Sequence, residues 1–361
     1  MIMLRSFRFL LAASLATVAL RAETLRLGVV FSGDATPVAW PVVNSGAEPL
    51  RIGGTHASCA CMEQWVSELV VPAGKTGEIS FVHRADKTGR LVVQLEARSG
   101  DLKSVVRSAT LVGFVAQRSW LVSPAQLRER LAAQDVTVVD VREGARFTEA
   151  HIPRAMQILP FAVKTRADLR ARKIVLVDEG FAPDVVLALV RGLRETGFQD
   201  VVALDGGMAA WVRAGQSVEG SATTPLAVAM ISVGDFARAS AISEWRILEL
   251  AAPGATRATI DGATFVADAG AASAWLARPV ASGAAVVRPT LVIASDAAAR
   301  IKIETGGGAK GGVFYLSGGA SALSVFQAQA SLAQQGAQLV EVRSAPQRSP
   351  AAAGGCSSCP K

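Results

Sequence analysis

"KIVLVDEGFAPDVV", Lys173 to Val186, joins a short apolar run, Ile174 to Val177, to an Asp-Glu-Gly turn and then to a proline. Apolar residues in unbroken succession mark a strand buried on both faces, the habit of a parallel sheet. Pro183 suits the first helical position, where a missing N–H costs nothing. A strand running through a tight loop into a helix N-terminus is where open α/β sheets place their chemistry. Oriented N–H groups and the helix dipole would favour an anion there. This loop brings carboxylates of its own, Asp178, Glu179 and Asp184, and no Ser, Cys, His, Lys or Arg. It is either an active site or the shell of one.

Outward from this loop the same rhythm continues. "VTVVDV", Val136 to Val141, is a second doubly buried strand, and "SPAQLRERLAA", Ser123 to Ala133, reads as a helix with Ser123 as N-cap and Pro124 at its first position. The helix from Pro183 should stop at Gly197. A parallel sheet covered by helices on both faces follows. The next segment repeats the pattern. Ser123 and Asp140 are 17 residues apart, as are Ser232 and Glu249, and "LDGGMAAW", Leu204 to Trp211, is answered by "LSGGASAL", Leu316 to Leu323. Two elements in register argue for a tandem repeat.

"VVDVREGARFTEAHIPRA", Val138 to Ala155, resembles the opening signature of rhodanese domains, with Asp-Val-Arg and His-Ile-Pro-x-Ala; "LDGGMAAW" resembles their closing signature. The resemblance covers residues 118–222 and implies an α/β rhodanese-like domain with structural signature residues Asp140, Arg142, His151, Gly206, Gly207 and Trp211. Residues 223–344 keep the Gly-Gly pair and the strand rhythm, which implies a degenerate second rhodanese-like domain. In that family the loop after the central strand starts with a cysteine that carries a sulfane sulfur as a persulfide, its thiolate held by loop N–H groups. Here Asp178 stands in that place, followed by Glu179 and Gly180. A carboxylate can sit in an anion nest but cannot attack or carry sulfur. The second copy, "LVIASDAAA", Leu291 to Ala299, offers Ser295 and Asp296 and again no thiol. Asp178 is then a helix cap that satisfies the nest, or else one wall of a pocket for a cation or amine. Asp140 and Arg142 are expected to pair or to bind loop backbone, and His151 to be hydrogen-bonded beneath the loop.

Residues 23–117 differ. Runs such as "LRLGVVF", "VAWPVV" and "EISFVH", separated by "NSG", "PAGKTG" and "ADKTG", predict an all-β antiparallel sandwich. "VVNSGAEPLRIGGTHASCACMEQW", Val42 to Trp65, is similar to a bacterial Ig-like domain family with Asn-x-Gly and Cys-x-Cys, related to hydin-type domains. Asn44 and Gly46 fit a turn needing positive φ. Cys59 and Cys61, if on a strand, point to one side. With His56 and Met62 near, they are candidates for a Cu(I) or Zn(II) site, or for a local disulfide or buried apolar pair. The expected fold class is therefore multidomain: an Ig-like β-sandwich, then two α/β rhodanese-like domains with parallel sheets.

The ends bound the rest. Arg5 and Arg8 precede the apolar run Phe9 to Leu20, and Ala22 offers a cleavage point, so residues 1–22 read as a signal peptide and the chain as periplasmic or secreted. No later apolar run is long and unbroken enough to predict a membrane span after cleavage. Residues 345–361 read as a disordered tail carrying Cys356 and Cys359 in a C-x-x-C pair, suited to a disulfide or half a metal site. The net charge of +7 sits mainly in these two ends, since residues 23–117 hold nine basic and nine acidic side chains, 118–222 fourteen and thirteen, and 223–344 nine and eight. No domain has the excess that phosphate binding needs, which excludes a nucleic-acid partner. The residues predict an exported, non-catalytic binding or scaffold protein with a protein partner in the cell envelope. The competing expectation is a thiol redox or sulfur-carrier protein that uses Cys59/Cys61 or Cys356/Cys359.

Overall fold

The structure is a computed structural model and describes residues 23–63, 68–84, 86–221, 224–250, 260, 262–278, 289–294, 296–306 and 312–344. The signal segment, the Cys356/Cys359 tail and Ser295 lie outside these residues. The described chain falls into two compact units. One runs to Val228 and includes Ala239–Trp245; the other comprises Ala229–Arg238, Arg246–Ala277 and the chain from Thr290.

The first unit opens with eight strands: β1 (Glu23–Phe31), β2 (Ala35–Val43), β3 (Leu50–Ala57), β4 (Met62–Glu63), β5 (Leu69–Val71), β6 (Thr76–Arg84), β7 (Gly89–Ser99) and β8 (Val105–Ala116). They form a five-stranded sheet, β1-β8-β7-β3-β5, and a three-stranded sheet, β2-β6-β4. Alternation drives the fold here: along β2, Thr36, Val38, Trp40 and Val42 are buried while their neighbours are exposed. Trp40, Ile79 and Phe81 from the smaller sheet share one core with Leu95 and Leu111 from the larger. One pairing departs from the antiparallel expectation. β1 runs parallel to β8, which places the entering strand at the sheet edge beside the last strand of the region.

Asn44 and Gly46 also have a different reason from the one expected. Neither has positive φ. Asn44 is buried; its amide donates to the carbonyls of Glu48 and Val71, at 2.8 and 2.9 Å, and its oxygen accepts from Gly46 N–H at 3.0 Å. The side chain thus supplies bonds the turn backbone would otherwise lack. A Cβ at Gly46 would lie 3.2 Å from that oxygen.

The chain then changes to α/β: β9 (Leu121–Val122), α1 (Pro124–Ala132), β10 (Thr137–Asp140), α2 (Gly144–Glu149), β11 (Met156–Gln157), α3 (Pro160–Val163), β12 (Lys173–Val177), α4 (Pro183–Glu195), β13 (Asp200–Leu204), α5 (Gly207–Arg213) and a short α6 (Pro225–Val228). All pairings are parallel, in the order β11-β10-β12-β13-β9, which puts β12 at the centre. Ser123 caps α1 with a full capping box, its hydroxyl accepting from Gln126 N–H while the Gln126 side chain accepts from Ser123 N–H. α4 begins at Pro183, and Gly197 follows it at φ +92°.

The second unit contains β14 (Met230–Ile231), α7 (Val233–Ala239, running to the unit's edge), β15 (Arg246–Leu250), β16 (Thr264–Val266), α8 (Ala269–Ala277), β17 (Thr290–Ala294), α9 (Ala297–Thr305), β18 (Val313–Leu316) and α10 (Gly319–Ser344). Its sheet is again wholly parallel, in the order β16-β15-β17-β18-β14. That is the order of the first parallel sheet, strand for strand. Glu249, at the end of β15, is buried as Asp140 is at the end of β10.

Candidate functional site

β12 ends at Val177 in the middle of its sheet, and the loop Asp178–Ala182 carries the chain into α4. Asp178 is partly exposed as a residue, yet its carboxyl is densely surrounded by protein. Loss of hydration pushes its pKa up to about 7; the neighbouring Glu179 charge adds to the rise, while Gly180 N–H and Arg142 oppose it. The N–H of Gly180 thus serves Asp178's own carboxyl. Asp178 does not cap α4, as the sequence suggested it could: the N-cap is Ala182, without a side-chain cap bond. The carboxyl instead folds back into the loop that starts with it.

The Gly-Gly pair explains how the loop is held. Met208 N–H donates to Asp178 carbonyl at 2.8 Å. Gly180 has φ +95° and a Cβ there would strike the Gly206 carbonyl; a Cβ at Gly207, φ +56°, would come within 2.5 Å of Asp178 carbonyl oxygen and Gly180 nitrogen. Gly206 is itself left-handed at φ +68°, where glycine alone is unstrained. Three glycines therefore let the α5 N-terminus close on the loop.

Sequence reading of the loop alone finds no basic residue, but the fold brings two. Glu179 accepts from Arg146 Nε at 2.9 Å and lies 3.5 Å from Arg142 Nη1. Arg142 is buried and donates two parallel bonds along one guanidinium edge to Asp140, Nε to Oδ1 at 2.9 Å and Nη2 to Oδ2 at 2.7 Å, and it donates to Ala150 carbonyl. Burial alone would lower the guanidinium pKa; the hydrogen-bonded Asp140, with Glu179, outweighs that and holds it above its ordinary value. Asp140 and Arg142 thus form the expected pair, and Arg142 extends it to the loop. The sequence signal for this was slight: two arginines, Arg142 just before α2 and Arg146 within it, four residues apart. Asp184, in the first turn of α4, also has its pKa raised by burial, against its own N–H and that of Val185.

His151 stands apart. It exchanges backbone bonds with Glu219, at 2.8 and 2.9 Å, its Nδ1 lies 2.9 Å from Phe147 carbonyl, its Nε2 lies 3.3 Å from Glu219 Oε2, and its ring stacks on Phe147 at 4.0 Å. These partners lie outside the loop, so the expectation of a histidine bonded beneath it is corrected: His151 ties the chain after α2 to the segment following α5. Trp211 is buried on α5 and donates to Ser217 carbonyl at 2.9 Å, fixing that same segment.

A doubly buried central strand, a glycine-lined loop on its carboxyl end and an Asp-x-Arg pair beneath it are now in place. The Rhodanese-like domain family matches residues 123–214. This stretch is a rhodanese-like domain. Among solved structures, the Alr3790 protein from Anabaena sp. is 30% identical, covering 27% of this chain and 82% of that chain with a TM-score of 0.26. The 3-mercaptopyruvate sulfotransferase SseA from Escherichia coli is 20% identical over 55% of this chain and 98% of its own, with a TM-score of 0.23. A thiosulfate sulfurtransferase from Pseudomonas aeruginosa is 21% identical over 57% and 42%, with a TM-score of 0.25. No curated protein matches the chain. Within the rhodanese-like domain, then, the loop after the central strand opens with an acid, Asp178.

The other candidate residues lie elsewhere. Cys59 and Cys61 occupy the turn between β3 and β4 and are joined as a disulfide, with Cα atoms 5.3 Å apart. This corrects their placement on a strand: an extended strand separates residues i and i+2 by about 6.6 Å, and the bend of the turn brings them closer. As a disulfide they offer no thiolate to Cu(I) or Zn(II). Met62 is buried in the core against which Cys59 and Cys61 pack, while His56 is exposed. Among the described residues no group of three or more His, Cys, Asp or Glu is placed to hold a metal ion. In the second unit, Asp296 caps α9, accepting from Ala298 and Ala299 N–H at 2.9 and 3.2 Å. No helix among the described residues is long and apolar enough to cross a membrane.

Proposed function

We propose that the protein is an exported binding or scaffold protein whose rhodanese-like domain has no sulfurtransferase activity of its own. One observation carries this: the residue that opens the loop after β12 is Asp178, whose own carboxyl takes the Gly180 N–H. A persulfide needs a sulfur at that place and free donors for its negative charge. The loop has no sulfur, and its Gly180 N–H is already taken by the Asp178 carboxyl. In this reading residues 23–117 are an Ig-like module and residues 223–344 a second, degenerate rhodanese-like copy. The equal strand order of the two parallel sheets supports the copy. A protein partner in the cell envelope, reached after removal of residues 1–22, completes the proposal.

The test is a thiosulfate:cyanide sulfurtransferase assay on the purified chain. Negligible turnover is expected, and Asp178→Cys should gain at most weak turnover, because Asp184 still faces an anionic donor. Robust turnover by a variant lacking all four cysteines would overturn the reading of the loop. A second reading, thiol redox or sulfur carriage, draws on the Cys59–Cys61 disulfide, with Cys356/Cys359 as its other pair. It requires turnover or sulfur loading that disappears when a cysteine pair is replaced by serine. Intact mass of the exported chain tests the localisation, with loss of residues 1–22 the expected result.

A further inference from the structure

We infer that the Cys59–Cys61 disulfide is a thiol–disulfide exchange site that takes two electrons from a dithiol, with Cys61 as the sulfur attacked and Cys59 as the leaving thiolate. This exchange rests on the second reading of the function, thiol redox, and is independent of Asp178. Both cysteines are half-buried in the turn between β3 and β4, and Ala60 between them is exposed, so the turn lies within reach of an incoming thiolate. The turn does not depend on the S–S bond for its shape. On the β3 side, Ser58 N–H donates to Gln94 carbonyl and Ser58 Oγ accepts from Gln94 N–H, each at 3.0 Å. On the β4 side, Arg84 N–H donates to Cys61 carbonyl at 2.9 Å, and Met62 pairs with His83. A disulfide stabilises chiefly by closing a loop of the unfolded chain, and the effect shrinks with the loop. This one joins residues only 2 apart in sequence. It is a poor staple, and opening it costs the fold little.

The two sulfurs are not equivalent. Cys61 N–H donates to Cys59 Sγ at 3.3 Å, and among the described residues no donor is placed on Cys61 Sγ. A disulfide sulfur is a weak acceptor, but a thiolate on Cys59 would gain a charge-assisted bond and a lower pKa. A thiol of lower pKa leaves faster, which makes Cys59 the leaving group. The donor's first thiol gives its proton to water and its sulfur bonds to Cys61 Sγ as the Cys59–Cys61 bond breaks. The electron pair of that bond stays on Cys59, facing the Cys61 N–H. The donor's second thiol, deprotonated in turn, attacks its own sulfur in the mixed disulfide and releases Cys61 as thiolate. The donor departs as a disulfide, oxidised by two electrons, and Cys59 and Cys61 take two protons from water to end as thiols.

The experiment incubates the full chain in glutathione buffers of graded poise, quenches with acid and maps every cysteine by mass spectrometry. Structural disulfides resist a glutathione pool. The Cys59–Cys61 pair is expected to open in millimolar reduced glutathione, with the trapped adduct on Cys61 rather than Cys59. Dithiothreitol should complete the reduction, one oxidised dithiothreitol appearing for each pair opened. Far-UV circular dichroism and the melting temperature should not change on reduction. In a chain carrying Cys356→Ser and Cys359→Ser, adding Cys61→Ser isolates Cys59, and adding Cys59→Ser isolates Cys61. Thiolate absorbance should then appear for Cys59 about one pH unit below that for Cys61, the shift expected from one hydrogen bond to a charged group. A pair that stays oxidised in these buffers, a collapse of the melting temperature on reduction, an adduct on Cys59, or equal titration of the two thiols would overturn the proposal. Exchange confined to Cys356/Cys359 would overturn this assignment while leaving thiol redox standing, and no readout here depends on sulfurtransferase turnover.

Discussion

Asp178 is the residue on which the functional reading turns, and its titration gives the reading a physical consequence. In the unfolded chain an aspartate ionises near pH 4, whereas in the fold burial lifts this one to about 7. Between these values the native state holds a proton that the unfolded state has released, so stability falls as pH rises through the window and levels off above it. Asp184 and Asp205 are raised by burial too and tilt the profile the same way. Asp178→Asn keeps an oxygen for Gly180 N–H and removes the charge. Thermal melts should therefore show the variant gaining on the native protein at pH 8 relative to pH 5; an equal difference at both would refute the buried carboxyl. Arg142 is the opposite case, a buried cation that needs both its carboxylates. Arg142→Ala leaves Asp140 buried and uncompensated, at a cost of about 3–5 kcal/mol in urea denaturation. Arg142→Lys should recover little of it, because a lysine cannot reproduce the bidentate bond to Asp140.

At the scale of elements, local chemistry written in the sequence and approaches set by the fold can be separated. Ser123 was legible as a cap from its Pro-x-Gln sequel, and Ser123→Ala should cost about 1 kcal/mol by chemical denaturation. Gly207 was legible only as half of a family signature. Its physical reason, a Cβ within 2.5 Å of Asp178 carbonyl, exists once α5 and the β12 loop meet. Gly207→Ala should cost roughly 1–3 kcal/mol for the left-handed backbone alone, and more for the collision. A melting temperature within a degree of native would show that the two segments do not close as described. The same division explains what the sequence hid. Strand type, the central loop and the helix stops follow from periodicity, caps and Gly or Pro, all local. The parallel pairing of β1 with β8, the reach of Arg142 and Arg146 to Glu179, and the turn that draws Cys59 to Cys61 depend on partners distant in sequence or on a bend that composition does not encode. Asn44 was misread for a related reason: its role is a pair of bonds to Glu48 and Val71 carbonyls, and only the first of these is local.

Across the whole molecule, the first unit joins its two-sheet region to the rhodanese-like domain through apolar packing. Phe114 and Ala116 at the end of β8 and Trp120 just beyond it are buried in one cluster with Val186, Leu187 and Val190 of α4, and Val29 and Phe31 of β1 pack against it. Arg118 adds an ion pair to Asp34 at 2.5 Å and lies over the Phe31 ring. The helix that follows the Asp178 loop is thus covered on one side by its own sheet's cluster and on the other by strands from the start of the chain. A domain built this way cannot shed its β-region without exposing α4. Two expectations follow from that packing. A chain spanning residues 23–245 should melt in one transition, with Phe114→Ala lowering stability by about 3–5 kcal/mol. Residues 118–222 alone should be markedly less stable and should bind a hydrophobic dye, since the α4 face would lie open to water. If instead the excised segment melts at the temperature of the longer chain, or Phe114→Ala splits one transition into two while leaving the upper one unmoved, the shared cluster contributes nothing to the loop's support. The Asp178 loop would then be held by the α5 glycines and the Arg142 pair alone.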